Sequence, residues 1–132
     1  MEGRCAVNAL GSWGEGYAAD LLRQEGAVLL EHNYRANHGE IDLIALMGKE
    51  LLFVEVKTRS PGYLVRPIEA VQLKKRRKIV ETAIRYLMEH PEYENCQPRF
   101  DIIEIVAVQS GEGYRPLQTD HWKGAFDGNG LV

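Results

Sequence analysis

With 132 residues, 45% of them hydrophobic and 27% charged, the chain has room for one packed core, and its composition is neither disordered nor collagen-like. The formal net charge of -3 gives no global basic signal, so a polyanionic partner would have to be met by a local patch. The two cysteines, Cys5 and Cys96, are far apart and form no CxxC or Cys/His spacing, which argues against a disulfide framework or a zinc site and fits a reducing cytoplasm. The apolar stretches around Ile41 to Met47 and Leu51 to Val54 are broken by Asp42, Lys49 and Glu50, so no membrane span is expected. The opening residues lack a long apolar region with a cleavage site, and the mature chain is expected to start near Met1.

In chain order, Trp13, Tyr17, Ala18, Leu21 and Leu22 recur at three- and four-residue spacing and predict a helix over Ser12 to Glu25, stopped by Gly26. Ala27 to Tyr34 reads as a first strand and Arg35 to Gly39 as a loop. Glu40 to Met47 and Glu50 to Thr58 are strand-like and separated only by Gly48-Lys49, the two-residue connection of a type II′ hairpin. Arg59 to Gly62 breaks the strand. Pro67 then opens a long helix to about His90, with Val71, Ile79, Val80, Ala83, Ile84, Leu87 and Met88 as its apolar stripe. Arg99 to Val108 predicts a further strand, Tyr114 to Leu117 a short edge strand, and Gly124 to Val132 a loose tail. The expected architecture is a single α/β domain, a mixed central sheet flanked by helices in the order α-β-β-β-α-β-β.

The hairpin register has chemical consequences. If the chain turns on Gly48 and Lys49, Asp42 falls opposite Glu55 and Glu40 opposite Lys57, all on one face. Opposed like charges destabilise a sheet unless something compensates, and a divalent cation would do so. Two carboxylates, with the remaining positions left to water and phosphate oxygens, suit Mg²⁺ acting on phosphates, while Lys57 can position a nucleophile or neutralise developing charge. The alternative is structural: Glu40 and Lys57 as a cross-strand ion pair within a solvated edge network.

The segments GEIDLIA (Gly39 to Ala45) and FVEVKTR (Phe53 to Arg59) resemble the YraN-like bacterial proteins. That family is related to archaeal Holliday junction resolvases and, more broadly, to the restriction-endonuclease-like fold with its PD-(D/E)xK signature. The resemblance covers roughly Gly14 to Val108, including the Gly14-Glu15 pair, the basic helix and Arg99-Phe100-Asp101, and places the signature on Asp42, Glu55 and Lys57. Ile41 stands where the generic motif has proline. The resemblance implies a nuclease fold, Mg²⁺ or Mn²⁺ held by Asp42 and Glu55, and Glu15 as the helical glutamate that completes the site. Ser12-x-x-Glu15 is also a capping box, so two readings compete for the Glu15 carboxylate.

Lys74, Lys75, Arg76, Arg77 and Lys78 are consecutive cations, and with Arg59 they offer a track for a phosphate backbone; a solvated helical face is the alternative. Gln72 and His38 are further candidates near the site, whereas His32, His90 and His121 show no metal spacing. Trp13, Tyr17 and Tyr86 fit the helix stripes as core or interface residues rather than base-stacking platforms. The leading expectation is a cytoplasmic, metal-dependent endonuclease, resolvase-like, acting on DNA, with a homodimer suited to cutting branched substrates. A catalytically silent nucleic-acid-binding module and a structural interaction domain using the apolar patch near the N-terminus and Trp122 to Phe126 are the competing expectations.

Overall fold

The computed structural model describes residues 2–36, 38–62 and 73–127. Helix α1 (Glu2–Gln24) is followed by strands β1 (Val28–Ala36), β2 (Gly39–Met47) and β3 (Glu50–Arg59), helix α2 (Leu73–Glu89), and strands β4 (Gln97–Ser110) and β5 (Gly113–Phe126), with a short 3-10 turn at Pro91–Tyr93. The strands form one sheet in the order β1-β2-β3-β4-β5; β3 and β4 run parallel and the other neighbours antiparallel. This is the α-β-β-β-α-β-β order and mixed sheet expected from the sequence. Among the described residues, no helix is long and apolar enough to cross a membrane.

Alternation along β3 creates two cores. Leu52, Val54 and Val56 face α1, where Ala18, Ala19 and Leu22 pack, while Leu51 and Phe53 face Ile79, Ala83 and Tyr86 of α2. Small residues on α1 bring that helix close to the sheet, and aromatics fill the other side: Phe53 stacks on Phe100, which stacks on Phe126. Trp13 and Tyr17 lie against the α1 core, and Tyr86 is buried, as their spacing suggested.

Several boundaries differ from the sequence reading. Helix α1 begins at Glu2 rather than Ser12: Leu10 and Trp13 on either side of Gly11 both pack against the core, which outweighs the roughly 1 kcal/mol that an interior glycine costs. Ser12 is therefore inside the helix, not at its N-cap, and the capping-box reading fails. The helix stops as expected at Gly26, whose N–H bonds Arg23 C=O at 3.0 Å while the Ala27 N–H bonds Leu22 C=O at 2.9 Å, the paired bonds of a Schellman motif. The loop expected over Arg35 to Gly39 is shorter, because β1 continues to Ala36, which faces Gly39 across the ladder.

The central hairpin forms as predicted, with Met47 facing Glu50. Gly48 has φ 61° and Lys49 is not in the positive-φ region, which is the pattern of a type II′ turn and the reason glycine comes first. Pro67, Val71 and Gln72 lie outside the described residues, so the expected helix start is not placed. Within α2 the buried face is Ile79, Thr82, Ala83 and Tyr86, whereas Ile84 and Met88 are exposed, Met88 by 74%. The stripe is rotated because Thr82 satisfies its hydroxyl within its own helix, donating to Lys78 C=O at 2.7 Å, and can then be buried.

The largest difference is β5, which runs fourteen residues where a short edge strand and a tail beginning at Gly124 were expected. Pro116 escaped the usual penalty because β5 is the sheet edge and the register slips between Val106 and Ala107 beside it. At the other end a second register shift, between Phe100 and Ile102, brackets Asp101. Its fully buried carboxylate accepts from Arg99 Nε at 2.9 Å, Arg99 Nη2 at 2.8 Å, His121 Nε2 at 2.7 Å and Gly124 N–H at 3.0 Å. Arg99 Nη1 continues to Glu50 of β3 at 2.8 Å, so one carboxylate ties the ends of three strands.

Burial alone would raise the Asp101 pKa, but His121, Arg99 and the Gly124 N–H outweigh it and hold it at about 2. A depressed carboxylate pKa adds stability above its unfolded value, about 4, and that stability is lost as pH falls through the folded value. Asp101→Asn is therefore expected to cost about 3 kcal/mol in urea unfolding at pH 7. The gap from wild type should close as pH drops from 4 towards 2; a constant gap would show that the ionised carboxylate is not what matters.

Candidate active site

The β2–β3 ladder pairs residues from Met47↔Glu50 to Leu43↔Val54, and beyond that the strands part. At the opening, Asp42 of β2 turns its side chain across the gap and its Oδ2 accepts the Val56 N–H at 2.8 Å, a bond the ladder would otherwise have supplied from backbone. The Asp42 carboxyl also lies beside the Glu55 carboxylate of β3, close enough for Glu55 to raise its pKa. Both are buried, at 9% and 5% exposure. The expected Asp42–Glu55 neighbours therefore meet through their side chains, at a splay rather than as a regular cross-strand pair.

Two ammonium groups converge on this pair. Lys57 Nζ lies 3.3 Å from Glu55 Oε2, and Lys75 Nζ from α2 lies 2.5 Å from the same oxygen. Burial, then the neighbouring Glu55 carboxylate, raises the Asp42 pKa to about 8, against the opposing hydrogen bond from Val56. Burial and the adjacent Lys75 lower the Lys57 pKa, with Glu55 opposing them. For Lys75, burial disfavours the charge but the contact with Glu55 outweighs it, and the pKa is raised.

Glu15 enters from α1, on the other face of the sheet. It can do so because Gly14 sits against Thr58 of β3 so closely that a Cβ there would lie 1.9 Å from Thr58 Oγ1. Burial raises the Glu15 pKa, Glu40 and Glu55 add to it, and Asn33 and His32 oppose it. With Ser12 inside the helix, the carboxylate is not used as a cap, and Asn33, Glu40 and Glu55 lie within its electrostatic reach.

Glu40 pairs with Arg35 across the β1–β2 ladder at 3.0 Å, not with Lys57 as the extended hairpin register required, because the β2–β3 pairing has already ended. Arg59 is turned inward and its Nε lies 3.6 Å from Oε2 of the buried Glu104, which neighbours Lys57 in the β3–β4 register. Of the basic run, Lys74, Lys75 and Arg77 are exposed, and Arg76 lies over the Phe126 ring at 5.4 Å. His38 lines a small cavity of about 30 Å³ with Lys78, Glu81 and Thr82, away from the carboxylate pair. Gln72 lies outside the described residues.

Two groups of the site escaped the sequence reading. Asn33, at φ 52°, adopts the left-handed conformation that asparagine tolerates, and its side chain lies near enough to Glu15 to oppose the rise of the Glu15 pKa. A polar residue interrupting the β1 run was the available signal. Lys75 was placed with the surface track; its spacing of four and seven residues from Ile79 and Thr82, on the buried face, was the signal that it points inward.

Among the described residues, no three Cys, His, Asp or Glu side chains converge closely enough to form a complete metal cage. The donor set is instead two buried carboxylates in contact, one of them retaining its proton near neutrality. Hard oxygen donors so arranged suit a divalent cation that keeps part of its shell for water or phosphate.

Burial of Asp42 has a measurable cost without any cation. Because its folded pKa lies above the unfolded value, the unfolded chain gives up the proton first, and stability falls as pH rises from about 4 to about 8. Asp42→Asn keeps an oxygen to accept the Val56 N–H and does not titrate. In EDTA it is expected to be more stable than wild type by about 1 to 3 kcal/mol at pH 8. The difference should shrink towards pH 4 in thermal or urea unfolding; equal pH profiles for the two proteins would refute the assignment.

Residues 14–105 match the uncharacterised protein family UPF0102. A UPF0102 protein of Acinetobacter baumannii strain AYE is 43% identical over 94 residues, 71% of each chain. One of Syntrophotalea carbinolica is 42% identical over 92% of this chain and 94% of its own, and one of a Synechococcus strain is 37% identical over 94% of both. The matched span contains Glu15, Asn33, Asp42, Glu55, Lys57 and Lys75.

Proposed function

This chain belongs to the UPF0102 family, the YraN-like family that the GEIDLIA and FVEVKTR segments pointed to, and we propose that it is a metal-dependent endonuclease of the resolvase-like kind, hydrolysing phosphodiester bonds of DNA. The observation that carries this reading is the buried contact between Asp42 and Glu55 where β2 and β3 part, with Lys57 on the same carboxylate. A purely structural ion-pair network accounts less well for it, because Asp42 sits beside a second carboxylate while both lysine contacts fall on Glu55.

Asp42 and Glu55 would hold Mg²⁺ or Mn²⁺, with Glu15 alongside; when bound, the ion supplies the charge that polarises a phosphoryl oxygen and lowers the pKa of a water. Asp42 is fixed by the Val56 N–H and Glu55 by the two lysines, so both carboxylates are oriented before substrate arrives. Lys57, mostly buried and with its pKa lowered, would orient the attacking water and hold or release a proton beside the reacting phosphate. Lys74 and Arg77, exposed on α2, would contact the phosphate backbone and set register. Branched DNA, cut by a homodimer with one site per strand, is the substrate to test first.

The test is cleavage of labelled four-way-junction, flap, duplex and single-stranded DNA with Mg²⁺, Mn²⁺ or EDTA, with binding recorded in the same samples. Wild type should cut at least one substrate only with metal, and Glu55→Ala and Lys57→Ala should each lower the rate on the order of 100-fold or more. Binding without cutting would identify a silent nucleic-acid-binding module, and neither binding nor cutting would overturn the reading.

A further inference from the structure

The five consecutive cations of α2 do not behave alike. Lys75 is the one whose ammonium meets Glu55, at 2.5 Å, on the same oxygen that Lys57 approaches at 3.3 Å. Its side chain nevertheless keeps 43% of its surface exposed, so it reaches the buried carboxylate from the open side of the site. Position 75 is one helical turn before Ile79 and two before Thr82, at the end of the face that α2 turns to the sheet. Its partner is the carboxylate proposed above to bind the metal.

The charges explain why such a lysine is useful. Without an ion, the ammonium of Lys75 gives Glu55 a second positive neighbour, in the space on its solvent side. With a divalent ion on the carboxylates, Glu15, Asp42 and Glu55 stand against that ion and two lysines, leaving one positive charge. A single phosphodiester anion neutralises it. A flexible ammonium with three donors can move from a carboxylate to a phosphate oxygen a few ångströms away, because its rotatable stem keeps the charge while changing partner.

Resting on the endonuclease reading, we propose that Lys75 is a further catalytic residue: it pairs with Glu55 in the metal-free site, yields that oxygen to the divalent ion, and then contacts the phosphate being cleaved. Its contact with Glu55 sets it apart from Lys74 on the same helix.

The experiment titrates Mn²⁺ into the protein without DNA, followed by water-proton relaxation, and measures single-turnover cleavage of a four-way junction at saturating protein. Lys75→Gln should bind Mn²⁺ about tenfold more tightly than wild type, because the competing ammonium is gone. It should also cut on the order of 100-fold more slowly, with junction affinity changed less than about threefold. Lys75→Met, which keeps the aliphatic stem, is the second neutral variant if the first melts early, and Lys75→Arg should recover part of the rate. Lys74→Gln should leave Mn²⁺ affinity unchanged. Equal Mn²⁺ affinity in wild type and the neutral variants, or an unchanged saturated rate, overturns the role of Lys75. If wild type cuts nothing, the hydrolase reading fails by itself, and the Mn²⁺ titration still decides whether Lys75 competes for the ion; no Mn²⁺ binding by any variant overturns both.

Discussion

The hydrogen bond from the Val56 N–H to Asp42 Oδ2 is the constraint from which the rest of the site follows. The β2–β3 hairpin has apolar pairs from Leu46↔Leu51 to Leu43↔Val54, and continued regular pairing would have put Asp42 and Glu55 directly opposite each other. The strands part instead. A buried backbone N–H left without a partner costs about 1 to 3 kcal/mol, and the Asp42 carboxyl removes that cost while being pinned in place. A polar side chain thus substitutes for backbone pairing at the one point where two carboxylates must sit together.

The opening also solves a problem of faces. Side chains on a strand alternate, so groups supplied by helices on opposite sides of a sheet are ordinarily separated by its thickness. Glu15 belongs to the α1 side and Lys75 to the α2 side, yet both are within electrostatic reach of Glu55. Where β2 and β3 part there is no continuous sheet between them. Close packing at Gly14 brings α1 down to Thr58 of β3, and Lys75 reaches in from the start of the buried stripe of α2.

Much of this was legible in the sequence, for reasons that separate cleanly. The hairpin could be read because Gly48-Lys49 fixes the turn and a two-residue connection fixes every pairing back to Leu43. Asp42, Glu55 and Lys57 stood out as charges inside strands that should have been apolar. The length of β5 could not be read, since its edge position tolerates Pro116 and its anchoring depends on Asp101, His121 and Gly124 meeting across twenty or more residues. Glu40 was misplaced for the same reason that the site exists: register counting assumes the ladder continues, and here it stops. Ser12 looked like a cap because local sequence cannot show that Leu10 and Trp13 both pack on the core and carry the helix past it.

The site and the scaffold have opposite electrostatic characters, and the contrast is informative. Asp101 is buried among three donor groups that favour its charge, so its pKa falls and ionisation stabilises the fold. Asp42 is buried beside Glu55 and near Glu15, which outweigh the Val56 N–H, so its pKa rises and ionisation destabilises the fold. A neutral side chain that still accepts the Val56 N–H would relieve the charge and keep the bond. Stability is thus given up at Asp42 while Asp101, Arg99 and His121 bind the strand ends elsewhere. The two lysines on Glu55 offset its charge from within the chain, whereas Asp42 meets its burial by keeping its proton.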